Sequence, residues 1–277
     1  MGTMRVAKLE QYGLLQVAGA DARAFLHAQL TNDVEHLAAG MARYAGWCSA
    51  KGRLLATFLV VPCADGFLLQ LSRDLVPAVA KRLSMFVLRS KVRISDVSEE
   101  WLQYGVWETL PGVDLSVVQA NDRIEIRIDA ERFLLMTKAP QSAETAAGEW
   151  ALAEVRAGRP LIVLATQDQF VPQMVNFELA GGVDFHKGCY PGQEIVARAQ
   201  YRGAVKRRMV RLRGGALQPG QDLYSDDAPG QASGTVVNSA GGEALAVLQL
   251  AAIEAKAPVR AEPQAAALEI LPLPYSQ

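Results

Sequence analysis

A thiol, an ammonium and a carboxylate fall within one short stretch, Lys187-Gly188-Cys189-Tyr190-Pro191-Gly192-Gln193-Glu194. A cysteine acts as nucleophile or metal ligand only as thiolate, and two features here favour that form. Lys187 puts a positive charge two positions away, and residues 193–201 (QEIVARAQY) have helix-forming composition. Cys189 would then precede a helix N-terminus, where the backbone dipole also favours negative charge. Gly188 and Gly192 allow tight bends and close approach, while Pro191 holds Tyr190 extended. Gln193 and Glu194 would shape the first helical turn. Cys189 therefore reads as a reactive or partner-facing thiol, or else as an inert structural cysteine in a turn.

Other chemistry is weaker. His186 lies three residues from Cys189, but a Cys–His hydrolase also needs an orienting group and an oxyanion element, and neither is identifiable. His27, His36 and His186 do not fall at zinc-ligand spacings with any cysteine, so no metal site is expected. Residues 198–213 carry Arg198, Arg202, Lys206, Arg207, Arg208, Arg211 and Arg213 without an acid. That density could grip phosphates, with Arg202, Arg207 and Arg208 as candidate nucleic-acid contacts. The alternation in 209–213 equally fits a solvated strand face.

The elements that must position these residues can be read from periodicity. Strands are expected at 14–17, 43–49, 54–61, 67–72, 92–97, 101–107, 123–128 and 132–136. Asp21 is a candidate N-cap for a helix to Leu30, and Asp74 starts a helix to Leu88. A loop at 141–148 leads into a helix over 149–158, closed by Gly158-Arg-Pro160. Beyond Tyr201 the strands shorten and turns recur at Gly214-Gly215, Pro219-Gly220, Pro229-Gly230 and Gly241-Gly242. That spacing predicts a small antiparallel barrel or sandwich. The fold class is α+β, with a main body over 1–203 and a β-rich domain over 204–277.

Composition bounds the rest. At 277 residues with a net charge of -1, no global field draws the chain to nucleic acid, so such binding would need a local patch. Cys48, Cys63 and Cys189 are odd in number and far apart, which points to a reducing compartment. The start lacks a signal-peptide core, and the apolar run 54–63 is too short to span a bilayer. A cytoplasmic location with no membrane contact is expected.

The stretch 187–194 resembles the K-G-C-[FY]-x-G-Q-E signature of YgfZ-type folate-binding proteins, relatives of the glycine-cleavage T-protein. Further segments are similar to that family: Gln29-Leu-Thr-Asn-Asp-Val34, Cys48-Ser-Ala-Lys-Gly-Arg53, the lead-in Phe170-Val-Pro-Gln with Asn176 and Gly181-Gly182, and the closing Leu271-Pro-Leu-Pro-Tyr-Ser276. The resemblance implies three subdomains around a central channel, the first discontinuous (about 1–45 with 120–203), the second about 46–119, and a C-terminal β-barrel. It implies tetrahydrofolate as ligand, with Tyr12 and Trp150 as aromatic contacts and Glu178 at the pteridine edge. It also implies a role in tRNA modification, through synthesis or repair of iron–sulfur clusters in modifying enzymes. There Cys189 is the functional thiol and Lys187 lowers its pKa. The expected partners are folate, iron–sulfur enzymes such as tRNA-modifying enzymes, and tRNA. T-proteins carry an essential acid in the stretch matching 51–57, where this chain has Ala56 and Thr57, which counts against aminomethyl transfer. A folate-dependent aminomethyltransferase or demethylase, and a non-catalytic tRNA- or protein-binding adaptor, stay open as alternatives.

Overall fold

The structure, a computed structural model, describes residues 5–203, 205–228 and 230–275. The expected turn at Pro229-Gly230 and the closing segment at Ser276 each include a residue outside that description. The chain begins with β1 (Arg5–Lys8), β2 (Tyr12–Ala18), α1 (Ala22–Gln29), β3 (Arg43–Cys48), β4 (Leu54–Cys63) and β5 (Gly66–Ser72). Next come α2 (Val76–Ser84), β6 (Arg93–Asp96), β7 (Leu102–Trp107), β8 (Val117–Ala120), β9 (Arg123–Arg127) and β10 (Arg132–Thr137). Then follow α3 (Ala147–Arg156), α4 (Gln193–Tyr201), β11 (Arg207–Arg213), β12 (Asp222–Ser225), β13 (Ala232–Ala240) and β14 (Glu243–Gln249). The last elements are α5 (Leu250–Glu254), β15 (Val259–Arg260) and β16 (Ala267–Leu271).

Two five-stranded sheets form the body, in the orders β1-β7-β10-β9-β8 and β3-β4-β5-β2-β6. All their strand pairs are antiparallel. The sheets draw strands from both sides of the divisions expected near residues 45 and 119: β2 pairs with β5, and β1 with β7. Pairing of β-strands is set by which apolar faces meet rather than by sequence neighbourhood. Leu14, Leu59, Val61, Leu68, Ile124, Ile126, Leu134 and Met136 form a buried layer that draws on both sheets. The β3–β6 sheet buries its other side against α1, α2 and the segment 170–196. That is why β4 is buried at every position but its last and reads as an unbroken apolar run.

Strands β11-β14-β13-β12-β15-β16 close into a barrel over 207–271. Register shifts at Leu223/Tyr224 and Val236/Asn238 bend the strands as closure requires. The barrel is joined to the body by α3, whose Arg156 donates to the buried Glu243 at 2.9 Å.

Several local expectations needed correction. Asp21 does not cap α1 with its side chain; its carboxylate accepts from the backbone of Lys91 at 2.6 Å. Asp74 lies in a 3-10 turn, and α2 starts at Val76 with Pro77 in its first turn and stops at Ser84. β1 and β8 were not anticipated, being four-residue edge strands whose assignment comes from their partners.

Candidate functional site

The helix expected over 193–201 forms at those residues, with Gly192 as its N-cap at φ +78°. A left-handed φ is cheap only for glycine. Space demands glycine too: a Cβ at Gly192 would stand 2.7 Å from Cα of Gly52 and overlap the carbonyl oxygen of Ser49. Gly52, at φ +69°, is constrained in return by Cβ of Ile195, 2.8 Å from where its own Cβ would lie. The turn at 49–52 is closed by a 2.9 Å bond from the Gly52 N–H to the Ser49 carbonyl. Paired glycines therefore join the segments 48–53 and 187–194.

The other signature segments meet at the same place. Thr31 Oγ1 donates to the Gly182 carbonyl at 2.6 Å and accepts from the Gly46 N–H at 2.7 Å. Asn32 Nδ2 donates to the carbonyls of Gly181 (2.6 Å) and Tyr44 (2.7 Å). Lys187 Nζ donates to the carbonyls of Leu30, at 2.7 Å, and His27. The bonds from Lys187 occupy carbonyls that the end of α1 would otherwise leave open.

The hydrogen bonds of Lys187 go to the end of α1 and its ammonium sits 5.0 Å over the Tyr190 ring. Burial pushes its pKa down to about 8, against the pull of Asp33, Asp184 and Cys189. Cys189 is exposed, whereas Cys48 is buried and Cys63 half-buried. Burial pushes the Cys48 thiol up to about 12, so it stays neutral.

The histidine brought towards this turn is His27 rather than the exposed His186. Its Nε2 is 3.6 Å from where a Gly188 Cβ would lie, and its Nδ1 is 3.1 Å from Asp33 Oδ1. Asp33 Oδ2 also holds His36 Nδ1 at 2.8 Å. Burial acts to raise the Asp33 carboxyl, but the hydrogen bonds from His36 outweigh it and hold the group below its ordinary value. Sequence separation hid His27, since it lies on α1 and its neighbour Gly188 lies far along the chain.

Arg208, a candidate nucleic-acid contact, is half-buried, forms an ion pair with Glu178 and donates to the Gln173 carbonyl at 2.8 Å. Burial raises the Glu178 carboxyl, and Arg208 offsets that only in part. The arginines expected on an open strand face are likewise engaged: Arg211 and Arg213 approach Glu243 at 3.7 and 3.9 Å. Arg202 is exposed at the end of α4, and Arg207 is half-buried.

Tyr12 and Trp150 share a cavity, with Tyr44, Phe58 and Phe177 completing its aromatic wall and Glu154 and Arg159 its charged end. Glu178 does not line it. On α3 the i, i+4 spacing puts Trp150 and Glu154 on one face. Trp150 lies against the backbone of β7, where a Cβ at Gly105 would stand 2.6 Å from its Cδ2, and meets Trp107 edge-on at 5.6 Å. Glu154 Oε1 accepts from Arg132 Nη1 at 3.0 Å and Arg159 Nη1 at 2.6 Å. Asp129 Oδ2 accepts from Arg132 Nη2 at 2.5 Å and Arg159 Nη2 at 3.3 Å. Two acids and two guanidiniums thus alternate, and Arg132 also sits 4.9 Å over the Trp150 ring. Burial pushes the Tyr44 phenol up to about 12 and Tyr12 higher still, so both hydroxyls stay neutral. From β4, Thr57 reaches the cavity, its Oγ1 accepting from the Ile162 N–H at 3.1 Å. The cavity's volume is about 50 Å³, room for a few waters.

The lead-in links the two regions, because Phe177 and Ala180 line the cavity while the carbonyls of Gly181 and Gly182 hold Asn32 and Thr31.

This architecture is that of the T-protein. The glycine cleavage system aminomethyltransferase T from Bartonella henselae superposes with a TM-score of 0.71 at 17% identity, over 98% of this chain and 86% of that one. The GCVT N-terminal domain family matches residues 4–107. Two proteins called tRNA-modifying protein YgfZ are nearer in sequence. The one from Serratia proteamaculans is 31% identical over 237 residues, 77% of this chain and 72% of its own length. The one from Photorhabdus laumondii subsp. laumondii is 32% identical over 247 residues, 79% and 75%. The chain belongs to the YgfZ family.

Proposed function

We propose that this protein binds tetrahydrofolate in the Trp150 cavity and supports tRNA modification, with Cys189 as a functional thiol in maintaining iron–sulfur modifying enzymes. The observation that carries the ligand half is the cavity's composition. A pteridine needs flat apolar walls and polar groups at its edge. Trp150, Tyr12, Tyr44 and Phe58 offer the first, and Glu154, Arg159 and Thr57 the second. At about 50 Å³ the slot is narrower than a bicyclic ring, so binding would part its walls. The stretch 51–57, where the T-protein family carries an essential acid, offers only Ala56 and Thr57 here, which supports a binding role over aminomethyl transfer, because neither side chain can carry the needed charge.

The thiol half is supported by exposure and by a fixed frame. Cys189 is exposed between a buried Lys187 and a buried Tyr190, on a turn that the glycine pair holds in place. A partner protein could reach it without unfolding anything. The family names of the two relatives supply the link to tRNA modification.

Anaerobic titration with tetrahydrofolate tests the first half, with Trp150→Phe alongside; saturable binding weakened by that change is expected. Absence of binding would leave the adaptor reading in its place. Rescue of tRNA modification in cells lacking the native protein tests the second half. Cys189→Ala is expected to fail there, and full rescue would refute the thiol role.

A further inference from the structure

Among the four charges beside the cavity, two are spent and two are not. Arg132 uses Nη1 on Glu154, and Nε and Nη2 on Asp129, and its side chain is 6% exposed. It holds the network and the face of Trp150. Glu154 and Arg159 are the members that line the cavity. Both bonds to Glu154 fall on Oε1, and those of Arg159 leave from Nη1 and Nη2. Among the described residues, no hydrogen bond is made by Glu154 Oε2 or Arg159 Nε. An acceptor is therefore free beside a donor, in a pair held together at 2.6 Å.

Such a pair adds little to stability over apolar residues of the same size, since desolvation cancels most of the attraction. It is better matched to a ligand. A carboxylate oxygen next to a guanidinium N–H complements a planar ring edge that carries an N–H beside a carbonyl, while the aromatic wall covers the ring faces. Glu178 cannot supply this contact from its place against Arg208, outside the cavity lining.

We propose that Glu154 and Arg159 read the ring edge of the bound pteridine, Glu154 accepting from its ring or amino N–H and Arg159 donating to its 4-oxo group. The inference rests on the folate reading above and adds a selectivity to it. A 2,4-diamino ring presents a second donor where Arg159 also has one. Sites built around a hydrogen-bonding group discriminate strongly against ligands that leave it unpaired.

The test is equilibrium titration of the intact protein with tetrahydrofolate and with a 2,4-diaminopteridine analogue carrying the same tail. The expected result is at least a tenfold preference for the oxo ring. Arg159→Leu should bring the two dissociation constants within about twofold, and Glu154→Gln should weaken both ligands by about tenfold. Near-ultraviolet circular dichroism checks the fold; if Arg159→Leu does not fold, Arg159→Lys replaces it, since it keeps the charge but not the Nε donor. Tetrahydrofolate binding with affinity and preference untouched in both variants would overturn the edge assignment and leave the folate site standing. No binding by the unaltered protein would overturn the folate reading, and this inference with it.

Discussion

Trp150 and Cys189 stand in places built by opposite means. The cavity around Trp150 is made of large side chains: aromatics, with Trp150 itself held edge-on against Trp107, and a ring of four charges at one end. The turn carrying Cys189 is made of backbone: glycine against glycine, and Thr31, Asn32 and Lys187 bound to carbonyl oxygens. One region fixes what can be held, the other fixes where one exposed atom is presented. A wall of side chains can adjust to a ligand, whereas a turn held by main-chain contacts has few alternative arrangements. The difference implies that substitutions in the cavity alter ligand choice, while those in the turn act on folding or on the thiol alone.

The largest effect should come from the cavity. Trp150→Ala removes a side chain that is 2% exposed and packs on β7, and should cost about 3–5 kcal/mol in denaturant unfolding. A loss below about 1 kcal/mol would show that the wall is not part of the core.

Gly192→Ala is next, on the order of 3 kcal/mol, from the left-handed φ together with the overlap at Ser49 and Gly52. The same measurement with Gly188→Ala, where among the described residues beyond its chain neighbours a new Cβ would meet only His27 Nε2 within 4 Å, at 3.6 Å, should show a much smaller change. Equal losses at both would contradict the glycine weld.

Lys187→Met leaves the Leu30 and His27 carbonyls without their donor, for about 1–3 kcal/mol. A pH signature separates this from lost packing. The pKa of Lys187 is about 8 in the folded state against an ordinary 10.5. Between those values the unfolded chain binds more protons, so the wild type should gain stability relative to the variant as pH rises from 8 to 10.5. A flat difference across that window would mean that burial does not strain the ammonium.

Cys189→Ala should be the smallest in stability, within about 0.5 kcal/mol, and the largest in function, with tRNA modification no longer rescued. The contrast between the two readouts sharpens the division between frame and thiol.

Much of this was legible along the chain. Residues 193–201 form α4 with the bounds that composition indicated, because a Gly-led start and a run of helix formers decide a helix locally. The pair Trp150 and Glu154 could be read as one face once α3 was drawn. Asp21 misled because its carboxylate had a tertiary competitor, the Lys91 N–H, and a local rule cannot see that. Within the basic run at 198–213, Arg208, Arg211 and Arg213 are engaged by Glu178, Glu243 and Glu269, acids that lie outside the run and that a local reading of it does not weigh.

By itself the sequence determined the α+β composition, a β-rich C-terminal domain left open between barrel and sandwich, and the turn at 187–194, since these follow from periodicity and from residues that permit or forbid local backbone angles. Only the tertiary structure decided which charges meet, that Lys187 serves α1, that His27 comes to Gly188, and that Glu154 and Arg159 share a cavity with Tyr12. Such pairings depend on long-range strand and helix packing, where a side chain takes the partner that burial leaves beside it.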